Sequence, residues 1–233
     1  MVNTYSPIWF DLFLETQPYP QAEVAFVERF LPNPPYAYVL DVACGPARHA
    51  RLLAELGYEV TGIDIHEQAL ATARQITNGS ALFLHQDMRH LANLPATFDG
   101  IISMWQSFGY FDAETNRDIL RQMAAKLNSP GRLILDLYHR AYFENNQGTR
   151  QIERRGILVT VTDTMQGNRL TAEIDYGDPI GRETFSWQLY TPDELSTMAA
   201  ELGLHSILAC TEFNEQHPAG PDKPRMQLVL EKD

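Results

Sequence analysis

One segment constrains the fold more than any other: an aliphatic run that ends near an acid, a turn of small residues, and the start of a helix. It spans Val39–Ala50, with Asp41 in the run and Gly45 in the turn. A second aliphatic run, Glu59–Asp64, also ends in an acid, about twenty residues beyond the turn. This order predicts a strand–turn–helix–strand unit that binds a nucleotide-type cofactor, with the ribose at the second acid.

Strand and helix signals alternate through most of the chain. The predicted strands are Tyr38–Val42, Val60–Ile63, Ala81–His85, Gly100–Met104, Arg132–Leu137, Leu204–Phe213 and Met226–Glu231. The predicted helices are Gln21–Leu31, Ala47–Leu56, Gln68–Ile76, Asn116–Leu127 and one that begins at the capping box Thr191–Glu194. Strands that alternate with helices favour parallel pairing. We therefore expect an α/β fold with a doubly wound, seven-stranded, Rossmann-like sheet.

The pattern changes between residues 140 and 190. Alternating, β-rich runs separated by glycine-containing turns occupy Gln151–Thr162, Arg169–Tyr176 and Glu183–Tyr190. They predict an antiparallel β lid inserted into the sheet domain. The aromatic start of the chain predicts a helical cap. The expected layout is a cap at 1–30, a cofactor domain at 31–139 and 191–233, and a lid at 140–190.

The composition of the chain limits the classes of partner that we expect it to bind. The 233 residues carry a formal net charge of −12, and the pI is about 5.0, so a polyanion such as nucleic acid would be repelled. Cys44 and Cys210 are the two cysteines, which favours a reducing compartment over a disulfide scaffold. The sequence has neither a signal-peptide pattern nor an apolar run of the ~20 residues that span a bilayer. We expect a cytoplasmic protein without a nucleic-acid or membrane partner.

The turn after the first strand distinguishes between cofactors. Dinucleotide folds use three glycines there, because a pyrophosphate approaches the backbone closely. This chain has Ala43, Gly45 and Ala47. Asp41 would repel a pyrophosphate but suits the ammonium and sulfonium of S-adenosylmethionine (SAM), while N–H groups at the helix start suit its carboxylate. The turn favours SAM; the alternative is a tight structural turn without a ligand.

Polar or aromatic residues also follow the next three strands. Asp64 can accept from both ribose hydroxyls, or it caps the following helix. Asp87 can accept from an adenine amine with Met88 against the ring, or it lies in a surface turn. The aromatic segment Ser103–Phe111 forms a ligand wall, or it packs in the core. Ligands of such sheets bind at the carboxyl ends of the strands, which favours the binding roles.

On these segments the chain resembles the class I SAM-dependent methyltransferases. The resemblance runs in order through Val39–Ala50, Val60–Asp64, His85–Leu91, Phe98–Phe111 and Ser129–Leu137. The lid and the segment Leu189–Leu195 are similar to a small-molecule branch with sugar-amine and glycine N-methyltransferase-like enzymes. The resemblance specifies the fold and the cofactor, but not the acceptor.

The resemblance implies a cofactor site. Its residues are Asp41, Ala43, Cys44, Gly45 and Arg48 at the turn, Asp64 and Ile65 at the ribose and adenine, Asp87 and Met88 at the adenine, and Met104, Trp105 and Ser107 toward the sulfonium. Ala43 and Ala47 occupy the positions of the family's first and third glycines. An alanine at positive φ costs about 1 kcal/mol.

The sequence says less about the residues that bind the methyl acceptor than about those that bind the cofactor. Trp105, Tyr110 and Phe111 can shape an acceptor pocket, closed by the lid and the N-terminal segment. His139 follows the fifth strand, so His139 and Tyr110 are the candidate catalytic residues, with His139 as a base for a hydroxyl acceptor. The alternative for His139 is a structural role. The histidines lack the spacing of a metal site, and no metal is expected.

The sequence thus predicts methyl transfer from SAM to a small amine or hydroxyl acceptor. One alternative is an NAD-dependent oxidoreductase, which the missing glycines and the lack of a Tyr-x-x-x-Lys pair disfavour. Another is a protein of this fold that binds a ligand without turnover. The string Asn33–Tyr36 resembles a motif of adenine N6-methyltransferases, but it precedes the first strand and predicts a helix stop. A homodimer through the lid strands is a further expectation.

Overall fold

The computed structural model describes residues 5–14 and 20–233. The helices are α1 (Pro7–Trp9), α2 (Gln21–Phe30), α3 (Arg48–Glu55), α4 (Glu67–Thr77), α5 (Ala113–Lys126), α6 (Arg140–Asn145) and α7 (Pro192–Ala200). A π-helical segment, Phe10–Leu14, follows α1, and a 3₁₀ segment, Met88–Asn93, lies between the third and fourth strands. The parts of the predicted cap at residues 1–4 and 15–19 lie outside the described residues.

The strands form two sheets. They are β1 (Tyr38–Val42), β2 (Glu59–Asp64), β3 (Leu82–His85), β4 (Phe98–Ser103), β5 (Leu127–Tyr138), β6 (Gly148–Arg154), β7 (Ile157–Gln166), β8 (Arg169–Asp175), β9 (Arg182–Gln188), β10 (Leu204–Thr211), β11 (Asn214–Pro218) and β12 (Arg225–Lys232). The central sheet has the order β11-β10-β12-β5-β4-β1-β2-β3. Its strands β3, β2, β1, β4 and β5 are parallel, and β12 runs antiparallel to β5. The predicted fold class is confirmed.

Helices cover both faces of the central sheet because successive strand residues point to opposite sides. Val39 packs in a cluster with residues of α2, α3 and α4, whereas Leu40 packs in a cluster with residues of α5 and α7. Strand order reverses beside β1, which pairs with β2 on one side and β4 on the other. In such sheets this switch point leaves a crevice at the carboxyl ends of the strands.

The central sheet has one strand more than the predicted seven. The additional strand, β11, is largely exposed and pairs with the edge strand β10 at Cys210–Pro218 and Thr211–Asn214. Its sequence, Asn-Glu-Gln-His-Pro, has neither an apolar alternation nor β-branched residues, so no sequence signal marks it as a strand.

The lid is a separate antiparallel sheet with the order β6-β7-β8-β9. The predicted strand Gln151–Thr162 is in fact the end of β6 and the start of β7. Arg155 and Gly156 both have positive φ, 50° and 77°, so they form the tight two-residue turn that joins the two strands.

The N-terminal segment packs on one face of the lid sheet. Leu12 is fully buried in the lid's apolar cluster, and Tyr5 stacks on Phe185 with 4.8 Å between ring centroids. The Ser6 N–H also donates to a Glu183 side-chain oxygen at 3.0 Å. The described part of the cap and the lid therefore form one wall above the sheet.

Gly109 connects this wall to the central sheet. The Gln188 N–H, at the end of β9, donates to the Gly109 carbonyl at 2.7 Å. Gly109 has a φ of +104°, and a Cβ there would lie 2.4 Å from the Gln188 carbonyl oxygen. Only glycine fits this approach, which fixes the loop after β4 against the lid.

No helix in the described part of the chain is long and apolar enough to cross a membrane.

Candidate functional site

A cleft of about 960 Å³, solvent-open space included, lies at the carboxyl ends of the parallel strands. All of the predicted cofactor-binding residues line it: Asp41, Ala43, Cys44, Gly45, Arg48, Asp64, Ile65, Asp87, Met88, Met104, Trp105 and Ser107. Tyr110 lines it as well, together with residues that the sequence did not single out, including His49, His66 and Gln86. The structure thus brings together segments from four successive strand ends.

The turn after β1 uses backbone conformations that favour glycine. Ala43, Gly45 and Ala47 all have positive φ, at 60°, 53° and 65°. The Cys44 N–H donates to the Ile63 carbonyl at 3.0 Å, which fixes the turn against the end of β2. Two alanines in the left-handed region each carry about 1 kcal/mol of strain. The conformation expected for this turn is present without the family's full set of glycines.

Asp41 is a buried carboxylate at the bottom of the cleft. Its exposed fraction is 2%, and its Oδ2 has no hydrogen-bond partner among the described residues. Burial raises the pKa of Asp41 to about 6, an effect that the negative charge of Asp64 increases and His49 opposes. A buried acceptor without a donor is costly, so the position suits a ligand that brings a positive charge.

Asp64 differs from Asp41, because both of its side-chain oxygens accept hydrogen bonds within the protein. Oδ2 accepts from the Gly45 N–H and Oδ1 accepts from the His66 N–H, each at 2.8 Å. These bonds lock the carboxylate at the cleft, at the start of α4. A carboxylate has about four lone-pair sites, so each oxygen can still accept from a ligand hydroxyl.

Arg48 supplies a positive charge to the same cleft. Its side chain is 16% exposed, and neither terminal nitrogen has a hydrogen-bond partner among the described residues. The nearest carboxylate, Glu23, is 3.8 Å away, beyond hydrogen-bond distance. The guanidinium lies over the Trp105 ring, 4.7 Å from its centroid. Arg48 can therefore offer N–H donors to an anionic ligand group.

Asp87 lies in the cleft but is paired within its own turn. Its Oδ1 accepts from the Arg89 N–H at 2.8 Å, and both oxygens accept from the Arg89 guanidinium. The side-chain hydrogen bonds from Arg89 lower the pKa of Asp87. Arg89 in turn lies 4.9 Å from the Phe111 ring centroid. Asp87 is thus less available to a ligand than Asp41 or Asp64.

A second wall of the cleft is aromatic. Tyr5, Trp9 and Phe10 from the N-terminal segment meet Tyr110 and Phe111 from the loop after β4. The Tyr5 and Tyr110 hydroxyls are hydrogen-bonded to each other at 2.9 Å. Burial raises the pKa of Tyr110 to about 12, so it stays protonated at neutral pH and does not serve as a base.

His139 is not among the residues that line the cleft, so the structure does not bring this candidate base to the site. It follows β5, which extends beyond the end of β4, and its N–H donates to the Pro224 carbonyl at 2.9 Å. The side chain is buried, and burial lowers its pKa. The continuation of β5 under the lid, where His139 pairs with Tyr190, explains this position. Within residues 5–14 and 20–233, no group of His, Cys, Asp and Glu has the geometry of a metal site.

Comparisons with known proteins agree with this geometry. Residues 39–131 match the family model of a methyltransferase domain. These residues therefore match a methyltransferase domain, which supports the predicted resemblance, and the chain has the predicted Rossmann-like fold.

Two sequence relatives and one solved structure illustrate the match. YqeM of Bacillus subtilis (strain 168), which carries a provisional methyltransferase name, is 33% identical over 134 residues, or 55% of this chain and 52% of that protein. A dTDP-3-amino-3,6-dideoxy-alpha-D-glucopyranose N,N-dimethyltransferase of Streptomyces fradiae is 32% identical over 105 residues, 45% of this chain and 40% of that protein. The chain spans about half the length of the first of these relatives.

The solved structure shows the same fold across nearly the whole chain. A SAM-dependent methyltransferase from Clostridium acetobutylicum ATCC 824 superposes with a TM-score of 0.82 at 14% identity, covering 97% of this chain and 96% of that one. SAM as the predicted cofactor agrees with the domain match and with this fold.

Proposed function

We propose that this protein binds SAM in the cleft and transfers its methyl group to a small-molecule acceptor, with an amine as the favoured acceptor group. One observation carries the proposal. Asp41 and Arg48 present opposite charges to one cleft, and each has side-chain atoms without a hydrogen-bond partner among the described residues. SAM has an amino-acid end, with an ammonium for Asp41 and a carboxylate for Arg48.

The remaining residues fit the rest of SAM. Asp64, held in place by two main-chain N–H groups, can accept from the ribose hydroxyls. Ile65 and Met88 offer apolar surface to the adenine, and Asp87 can accept from its amine while it stays paired with Arg89. In this proposal Met104, Trp105 and Ser107, which line the cleft, face the sulfonium. A ligand with this distribution of groups matches the charged and apolar residues that line the cleft.

When bound, SAM would supply a methyl group on its sulfonium: an acceptor lone pair would bond to the methyl carbon in line, the carbon–sulfur bond would break, and S-adenosylhomocysteine would leave. The chain's own contribution is to position the acceptor and to exclude water. The aromatic wall suits both tasks because it presents rings to the cleft and closes it from the lid side. Tyr5 and Tyr110 can also hydrogen-bond the acceptor through their paired hydroxyls.

An amine is favoured over a hydroxyl because the candidate bases Tyr110, His139 and His49 are poorly suited to take a proton from an acceptor. Tyr110 stays protonated, His139 lies outside the cleft, and the His49 Nε2 is held by Glu23 at 2.5 Å. A neutral amine needs only its lone pair, whereas a hydroxyl must lose its proton during the transfer. The Streptomyces fradiae relative is named as an N,N-dimethyltransferase of an amino sugar, which supports a small amine.

The test is calorimetric titration with SAM, S-adenosylhomocysteine and NAD, repeated on Asp64→Ala. We expect micromolar binding of the first two ligands by the wild type, weak binding by the variant and none of NAD. If the wild type binds neither SAM nor S-adenosylhomocysteine, the proposal fails. Binding of NAD instead would favour the oxidoreductase alternative. S-adenosylhomocysteine formation with a panel of small amines and alcohols then identifies the acceptor group.

We also propose the domain layout predicted from the sequence, with the cofactor domain at 31–139 and 191–233 and the lid at 140–190. The separate antiparallel sheet of β6–β9 supports it. A cytoplasmic location and a homodimer through the lid strands stay predictions.

A further inference from the structure

Glu23 is a buried acid outside every segment that carries the cofactor motif. It lies on α2, before β1, and its side chain is 13% exposed. Both of its oxygens accept from the Trp105 indole N–H at 3.1 Å, and Oε2 also lies 2.5 Å from the His49 Nε2. Burial favours a higher pKa for Glu23, but the contacts with His49, Arg48 and Trp105 outweigh it and lower that pKa. Glu23 is therefore an anion that joins three residues of the cleft.

Trp105 has an unfavourable backbone conformation that several contacts stabilise. Its φ is +60°, in the left-handed region that bulky side chains disfavour. The Asp136 carboxylate accepts from its main-chain N–H at 3.0 Å. Two guanidinium groups lie over the ring, Arg48 at 4.7 Å and Arg225 at 4.8 Å from its centroid. Arg225 is itself paired with Asp136.

Glu23 contacts Trp105 but does not accept a hydrogen bond from Arg48. It is 3.8 Å from the guanidinium, close enough to attract the charge but too far to accept a hydrogen bond. The two terminal nitrogens of Arg48 therefore stay free of hydrogen bonds within the described chain. A closer carboxylate would bind these N–H groups and compete with an anionic ligand.

We propose that Glu23 is a positioning residue for the cofactor end of the cleft. It orients the Trp105 indole through the N–H bond and keeps Arg48 against the ring with its donors directed to the ligand. This inference rests on the proposed function, because the ligand group that Arg48 receives is the SAM carboxylate. Glu23 does not line the cleft, so any effect on binding acts through Trp105, Arg48 or His49.

The test compares substitutions at Glu23 with a matched control on the same helix. Glu23→Ala removes every contact, whereas Glu23→Gln keeps an oxygen for the indole N–H but loses the charge beside Arg48. Glu28→Ala removes an acid of α2 that does not line the cleft. Trp105→Phe keeps a ring under the guanidinium groups but removes the N–H donor. SAM affinity is measured by calorimetry, and folding by thermal unfolding.

We expect Glu23→Ala to weaken SAM binding by about tenfold or more, the size of one charge-assisted hydrogen bond, and Glu23→Gln to weaken it less. Glu28→Ala binds SAM like the wild type. In Trp105→Phe, replacement of Glu23 by Ala causes a smaller loss than in the wild type, because the shared contact is already gone. The tryptophan emission assigned to Trp105, obtained by difference from Trp105→Phe, shifts in Glu23→Ala.

Two different outcomes would overturn the inference, and the measurements distinguish them. If the wild type does not bind SAM, the proposed function fails and the positioning role fails with it. If the wild type binds SAM and folded Glu23→Ala and Glu23→Gln bind it equally well, only the positioning role is wrong. Should Glu23→Ala not fold, Glu23→Gln and its cycle with Trp105→Phe decide the question, because a purely structural role leaves SAM affinity and the Trp105 emission of that folded variant unchanged.

Discussion

The charged wall of the cleft, with Asp41, Arg48 and Asp64, comes from one short stretch of chain, residues 41–64, whereas the aromatic wall combines residues far apart in sequence, such as Tyr5 and Tyr110. The charged wall holds unpartnered or partly free polar groups at fixed positions. The aromatic wall holds rings that are already packed on one another. Polar groups held in a rigid turn select one ligand, the cofactor. A wall built from a lid and a terminal segment can differ in shape between related proteins without changing the residues that bind that cofactor.

The largest expected effect concerns the junction between the walls. Gly109→Ala places a Cβ 2.4 Å from the Gln188 carbonyl oxygen at a φ of +104°. We expect it to lower the free energy of unfolding by about 3 kcal/mol or more. Chemical denaturation measures the change.

Gly156→Ala is the matched control for this substitution. Gly156 has a φ of +77° at a lid turn, and a Cβ there has no neighbour within 4 Å. Only the backbone cost remains, about 1 kcal/mol. Equal losses in the two variants would show that the contact between Gly109 and β9 does not join the walls.

The next effect compares two acids of the cleft, Asp64 in the charged wall and Asp87 after β3. Asp64→Ala removes a carboxylate held by two main-chain N–H groups, and we expect SAM affinity to fall by about 2–3 kcal/mol. Asp87→Ala removes a carboxylate already paired with Arg89, and we expect less than about 1 kcal/mol. Calorimetry with SAM gives both values. A larger loss for Asp87→Ala would reverse the ranking of the two sites.

We expect Asp41→Asn to raise the free energy of unfolding at pH 7.5 and to weaken SAM binding. The pKa of Asp41 is raised to about 6 by burial, so the folded protein binds more protons than the unfolded chain between about pH 4 and pH 6. Stability from this group therefore falls as pH rises through that range, by up to about 1.4 kcal/mol per pH unit, and stays low above it. Asp41→Asn removes this loss and is more stable than the wild type at pH 7.5.

The same substitution weakens ligand binding. SAM's ammonium needs the ionised carboxylate, so wild-type affinity rises as pH increases through about 6, and Asp41→Asn loses about tenfold in affinity at pH 7.5 together with that pH dependence. Thermal unfolding and calorimetry across pH 5–8 test both parts. The exposed Asp222→Asn serves as a control with the same change in net charge. An Asp41→Asn variant that binds SAM normally would contradict the role of Asp41.

The smallest effect concerns the turn itself. Ala43→Gly relieves a left-handed alanine but adds freedom to the unfolded chain, so we expect a stability gain of at most about 1 kcal/mol. Ala25→Gly, on the exposed side of α2, is expected to lose about that amount. Denaturant melts of the two variants should therefore change in opposite directions. A loss of stability in Ala43→Gly would show that the turn is not strained.

The position of Asp41, Gly45 and Asp64 at one cleft could be predicted from the sequence because its determinants are local. A run of apolar residues, small turn residues and an acid at each strand end defined Asp41, Gly45 and Asp64 without knowledge of the lid. The alternation of strands and helices likewise predicted the parallel sheet, and the capping box at Thr191 marks the start of α7.

The features that the sequence did not predict depend on distant contacts. The links from Glu23 to Trp105 and His49 join α2 to the cofactor turn and to the loop after β4, and no local pattern marks them. His139 follows a strand end as expected, but β5 extends beyond its neighbour and carries that residue away from the cleft. Strand β11 has a polar sequence, and only its pairing with β10 makes it a strand.

The most direct test of the central claim compares two adenosine ligands that differ in the amino-acid end. S-adenosylhomocysteine carries the ammonium and carboxylate, whereas 5′-methylthioadenosine lacks both. If Asp41 and Arg48 bind that end, calorimetry will show the wild type preferring S-adenosylhomocysteine by about 100-fold or more, and Asp41→Asn losing much of that preference. Equal affinity of the wild type for the two ligands would contradict the account, because Asp41 and Arg48 would then not bind the cofactor.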